Sequence, residues 1–115
     1  MLSKLTEASF AISAVQQMSK HNHLPMMSRE DKEQATAAVF SEMNKWSAEN
    51  LPMGASADVS EATINRGLHA VSNKFRNDPA LVQAYGFVDP VTILSVISAL
   101  FSIVGWIVKW WKGES

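Results

Sequence analysis

The stretch from Val91 to Val108, VTILSVISALFSIVGWIV, runs for eighteen residues without a charged side chain. No other feature restricts the fold of the chain as much. As an α-helix it extends about 27 Å at about 1.5 Å per residue, close to the roughly 30 Å hydrocarbon core of a bilayer. Eleven of the eighteen residues are Val, Ile, Leu or Phe. At roughly 0.3 to 0.6 kcal/mol each they favour insertion by about 3 to 6 kcal/mol, before the serines and the threonine subtract. The flanks agree with a membrane helix. Asp89-Pro90 is a helix start, with Asp able to cap and Pro suited to the first helical position. At the far end Trp106, Trp110 and Trp111 stand with Lys109 and Lys112. Indole rings favour the headgroup zone, and lysines reach phosphates while their stems stay in apolar surroundings. These five residues are the expected membrane-interface set.

Inside the segment, Ser95, Ser98, Ser102 and Gly105 recur at i, i+3, i+7 and i+10. Small residues at this spacing let helix backbones approach, and their hydroxyls bond across the interface. They are the expected helix–helix contact face, toward a copy of the chain or a neighbouring subunit. The competing reading is that the serines bond carbonyls of their own helix.

Residues 1–88 read as amphipathic helices. Leu5, Ala8, Ile12 and Val15 form a stripe over residues 3–20, extended by Leu2 and Met18. Ser28 opens a second helix, with Asp31 three residues on approximating a capping box. Ala35, Val39, Met43 and Trp46 form its apolar line, and Asn50-Leu51-Pro52-Met53-Gly54 ends it. Ser60 or Asp58 caps a third helix to about Asn77, with Ile64, Leu68, Val71 and Phe75 on one side. Asp78-Pro79 starts a short fourth helix stopped by Gly86. The expectation is an all-α chain: three or four helices over 1–88, then a single apolar, transmembrane helix with its Trp/Lys tail over 89–115.

Composition removes several functions. Ten Lys+Arg against eleven Asp+Glu leave a net charge of -1, so no basic excess exists to neutralise nucleic-acid phosphates. There is no cysteine, which removes disulfide frameworks and thiolate chemistry. His21, His23, Met26 and Met27 gather near Met18, an imidazole–thioether set of the kind copper favours. They read better as a surface loop with packing methionines, so neither metal nor cofactor is expected. His69 reads as a helix-flank histidine. Glu30, Asp31 and Glu33 suit the positive end of a helix dipole. Gly54-Ala55-Ser56-Ala57 lacks the second glycine of a nucleophile elbow, and no phosphate loop is present, so no enzyme is expected.

Glu7 and Gln16-Gln17 interrupt the first twenty residues, which do not read as a leader. The layout is tail-anchored, and Lys74 and Arg76 against Lys109 and Lys112 leave its orientation open. In layout alone the chain resembles small membrane-associated structural proteins of bacteriophage virions and tail-anchored subunits of membrane complexes. That resemblance implies a non-enzymatic structural protein, single-pass in a bacterial inner membrane or virion, linking a bilayer to a protein assembly that includes copies of itself. One alternative is a holin-like or bacteriocin-like permeabiliser. Another is a soluble helical subunit that buries its apolar helix.

Overall fold

Helix starts are written locally in this chain, and most of them form as the capping residues dictate. The structure, a computed structural model, describes residues 4–21, 24, 27–51 and 59–112, with side chains from Glu7 onward. Helix α1 spans Lys4–His21, α2 Arg29–Asn50 and α3 Glu61–Asn77. A short α4 covers Pro79–Ala84, and α5 covers Val91–Leu100. A 3₁₀ turn, Phe101–Ile103, leads into α6, Val104–Trp111. Among the described residues there is no strand.

The Ser28 hydroxyl accepts from the Asp31 amide at 3.1 Å, and Ser60 accepts from Thr63 at 3.3 Å. Each satisfies one of the amides that the first turn of a helix leaves unpaired. Asp78 does the same for Leu81 at 3.2 Å, with Pro79 at the first helical position. At α5 the start falls one residue later than expected. Pro90 is itself the cap residue, and the Asp89 carboxylate accepts from Val91 at 2.8 Å. Asp58, the other cap expected for α3, lies outside the described residues, as do His23 and Met26.

Gly86 ends α4 with φ of 87°, left-handed backbone that an L side chain resists. The turn brings the Tyr85 carbonyl to Gln34 Nε2 on α2, which donates to it at 2.9 Å. At Gly67 on α3, an added Cβ would lie 2.7 Å from Met43 Cε. The missing side chain lets α3 close down on α2.

One hydrophobic core draws on residues from α1 to α6. On α2, Ala35, Val39 and Met43 are buried and Trp46 is half-buried. On α3, Ile64, Leu68, Val71 and Phe75 are all buried, as their spacing predicts. Helix α1 departs from its expected stripe. Ala8 and Ile12 are exposed, and the inward face is Phe10, Ala11, Ala14, Val15 and Met18. Phe10 draws the helix round: its ring stacks on Phe40 with centroids 4.2 Å apart and planes 16° from parallel. Burying that ring outweighs burying an aliphatic line containing alanine, since an aromatic side chain removes far more surface from water.

Helix α5 lies against α2 and α3, the 3₁₀ turn against α1, and α6 against α3. Its inward residues are Ile93, Val96, Ile97, Ala99 and Leu100, continued by Ile103, Val104 and Ile107. Taken together, Val91–Trp111 makes 21 helical residues, long and apolar enough to cross a membrane by length and composition, and half of its most apolar stretch is buried inside the bundle.

Phe40 is the ring on which α1, α2 and α6 converge. Phe40→Ala should lower unfolding free energy by about 3 to 5 kcal/mol, the range for a buried aromatic replaced by a cavity. A urea titration followed by far-UV circular dichroism measures this; an unchanged midpoint would contradict the packing described.

Candidate functional site

The most concentrated chemistry lies at a carboxylate that the sequence does not advertise. Glu42 sits on α2 one turn after Val39, on the same apolar line, and its side chain has no solvent exposure. A bare carboxylate there would be prohibitive, so partners must come from neighbouring helices. Lys74 of α3 donates to Oε1 at 2.8 Å. Lys45, one turn along α2, donates to Oε2 at 3.0 Å. The Tyr85 hydroxyl, at the end of α4, donates to Oε2 at 2.6 Å and is hydrogen bonded to Ser41 Oγ at 3.0 Å. The Tyr85 ring in turn meets Phe75 edge-on at 5.9 Å.

Burial alone would push the Glu42 carboxyl up. The hydrogen bonds from Lys74, Tyr85 and Lys45, with the charge of Lys74, outweigh it and hold the group below the ordinary carboxylate value. Burial, then the bond to Glu42, pushes the Tyr85 phenol up. The same carboxylate raises the Lys45 ammonium. Every oxygen of Glu42 is engaged, both lysine heads are aimed at it, and the phenol proton is committed. The cluster ties α2, α3 and α4 together.

Grooves flank α2 on either side of this knot. One is lined by Glu42, Trp46, Glu49, Val71 and Lys74, and Arg66 lies 5.9 Å from the Trp46 ring at its edge. The other is lined by Glu7, Ser41, Asn44, Lys45 and Glu49, and Asn44 Nδ2 is buried there without a hydrogen-bond partner. Among the described residues no three His, Cys, Asp or Glu side chains come together to hold a metal ion. Met18 is buried and His21 exposed, so these two members of the histidine–methionine group do not share an environment. His69 is exposed on α3, its ring 4.7 Å from that of Phe101.

The expected contact face lies on the outward side of α5–α6. Ser95 is half-buried, while Ser98, Ser102 and Gly105 are exposed. Ser102 Oγ donates to the Ala99 carbonyl of its own helix at 2.6 Å. A Cβ on Gly105 would stand 3.3 Å from Glu61 Oε1, so α3 passes close by. The expected interface residues divide by type. Lys109 and Lys112 are exposed, whereas Trp106, Trp110 and Trp111 are half-buried against the core. Trp110 meets Phe10 at 4.9 Å and Phe40 at 5.4 Å, both edge-on, Trp111 meets Phe40 at 5.6 Å, and Trp106 lies 5.7 Å from Phe10.

No family model, curated protein or solved structure matches the chain.

Glu42 was the residue missed. Its signal was available: it stands i+7 from Ala35, i+3 from Val39 and i-4 from Trp46, a charge on a line of core positions. An acid there demands cationic partners. Because its folded value is depressed, the Glu42 contribution is present above the ordinary carboxyl value of 4.5 and is lost as pH falls through the lower, folded value. The urea midpoint should therefore drop on acidification below about pH 4.5, and Glu42→Gln should be less stable at neutral pH with a shallower acid limb. Tyr85→Phe should cost about 1.5 to 3 kcal/mol for the lost bond to a charged acceptor. Equal acid limbs in parent and Glu42→Gln would contradict this role.

Proposed function

We propose that the chain is a non-enzymatic helical structural protein that folds in water, uses its apolar C-terminal helix as its own core, and works through protein contacts in a larger assembly. The supporting observation is the sidedness of α5–α6. Ile93, Val96, Ile97, Leu100, Ile103, Val104 and Ile107 are at most 6% exposed. The exposed positions are Val91, Ser98, Ser102, Gly105, Lys109 and Lys112. A lone lipid-facing helix favours the reverse, since hydrocarbon solvates large aliphatic side chains and small or hydroxylated residues belong against a protein partner. Ile12, Val88 and Val91 are the exposed large hydrophobic residues among those described, and they lie on α1, in the α4–α5 linker and at the start of α5. They are too few and too separate to make the continuous apolar belt of a spanning segment.

Size agrees with a water-folded bundle. The radius of gyration is 13.2 Å, against about 13 Å for a folded chain of this length. The non-enzymatic part of the reading rests on Glu42, a buried carboxylate whose two oxygens are bonded to Lys74 of α3, to Tyr85 at the end of α4 and to Lys45 of its own helix.

A second reading, the single-span anchor of a membrane-linked assembly, is favoured by the 21-residue length of the apolar helix. Extraction and sedimentation separate the two. The expected result is a protein that alkaline carbonate releases from membrane pellets and that sediments as one species without detergent. Retention in the carbonate pellet, with detergent required for solubility, would establish the anchor reading instead.

A further inference from the structure

The groove between Glu7 and Glu49 follows from the way α1 and α2 pair. Phe10 stacks on Phe40, and Glu7, one turn before Phe10, lines the same groove as Asn44, one turn after Phe40. The two helices therefore run antiparallel, and their flanking polar residues share one depression. On α2, Ser41, Asn44, Lys45 and Ala48 are spaced i, i+3, i+4 and i+7, which puts them on one helix face. The groove has a volume of about 290 Å³, at the lower limit of roughly 300 Å³ for small-molecule pockets. It has room for one long side chain with a little of its backbone, not for a large cofactor.

Charge sets the sign of the occupant. Lys45 donates to Glu42 Oε2 at 3.0 Å, and its ammonium lies 6.0 Å from the Tyr85 ring centroid, so that charge is turned toward the clasp. The carboxylates of Glu7, half-buried, and Glu49, exposed, are left to set the potential of the groove. Asn44 adds a donor. Its Nδ2 is buried without a hydrogen-bond partner, an arrangement that costs free energy until an acceptor arrives. The terminal torsion of an asparagine is soft, so the amide can turn its N–H toward an acceptor in the groove.

A cation and a carbonyl oxygen are thus called for together, and a basic residue within a peptide carries both. Arginine suits the groove better than lysine. Its planar fork of five donors can serve two carboxylates at once, and its aliphatic stem can lie along Ala48.

We infer that this groove seats an arginine of a partner protein, with its guanidinium between Glu7 and Glu49 and its backbone carbonyl on Asn44 Nδ2. The inference rests on the reading of the chain as a water-folded protein that works through protein contacts, and it names the chemistry of one such contact.

Two-dimensional proton–nitrogen NMR of the full chain, in buffer without detergent, tests it. The side-chain amide pair of Asn44 is identified by its disappearance in Asn44→Ala. The probe is the peptide acetyl-Gly-Arg-Gly-amide, and acetyl-Gly-Gln-Gly-amide is the uncharged control. The arginine peptide should move the Asn44 pair to saturation with a dissociation constant on the order of millimolar. The glutamine peptide should leave it in place. Glu7→Gln with Glu49→Gln should weaken binding about fivefold, within the range for two solvent-accessible ion pairs. If circular dichroism shows that the double variant folds poorly, Glu49→Gln alone should weaken it about twofold. Asn44→Ala, followed through the Glu49 backbone amide, should weaken it about fivefold. An Asn44 pair unmoved at millimolar arginine peptide, or moved equally by the glutamine peptide, would overturn the site. Equal affinity for free guanidinium ion would overturn a protein segment as its occupant. Movement of the same resonances on dilution of the protein alone would assign the seat to a second copy of the chain and overturn an outside partner. Each of these outcomes leaves the water-folded reading standing, whereas a chain insoluble without detergent would overturn that reading itself.

Discussion

The fold depends on covering one face of Val91–Trp111. A helix carrying Ile93, Val96, Ile97, Leu100, Ile103, Val104 and Ile107 along one side cannot leave that side in water, because each of those side chains, fully buried, is worth about 1.5 to 3 kcal/mol. The other helices are arranged by this requirement. Helices α2 and α3 lie along α5, and α1 closes over the 3₁₀ turn. The inward residues of α1 and α2 are mostly alanine, valine, phenylalanine and methionine, and α3 adds Ile64, Leu68, Val71 and Phe75, so that the three helices sheathe the apolar face of α5–α6.

That arrangement explains the polar knot at Glu42. Helix α2 must carry an apolar face toward α5 and also fasten the sheath helices to one another. Fastening by more apolar surface would compete with α5 for the same face. A buried carboxylate with ligands on α3, α4 and α2 itself achieves it directionally, since bonds of 2.6 to 3.0 Å to fixed donors admit one arrangement of three helices. Buried ion pairs are weak contributors to net stability once desolvation is counted, and their better-attested effect is to select one geometry. Here the geometry selected is that of the sheath.

The order in which the sequence revealed itself follows from the same physics. Caps at Ser28, Ser60 and Asp78 were legible because capping is local chemistry within three residues. The α3 stripe was legible because its four large apolar residues leave one way to face a core. The α1 stripe was not, because Phe10 lies off the aliphatic line and its partner Phe40 is thirty positions away. Glu42 was not legible because its ligands Lys74 and Tyr85 are 32 and 43 residues distant. The serine–glycine line of α5–α6 was found as a pattern, but a pattern of small residues has two physical meanings. In lipid it marks a contact with protein; on a water-folded bundle it is the side that the core does not need.

Those two meanings bear on how the C-terminal helix is best understood. Its tryptophans and lysines have the composition of a membrane interface, yet the same indoles complete an aromatic cluster with Phe10 and Phe40. Indole suits both settings for one reason: it is a large apolar plate with a single donor at its rim, content wherever one side is dry and one edge is wet. Bundle and bilayer headgroup zone both supply that. The length of Val91–Trp111 and the sidedness of its burial are therefore two separate properties of one segment. Length measures what the helix can do when apolar surroundings are offered on every side, and sidedness measures what it does when the surroundings are its own neighbours.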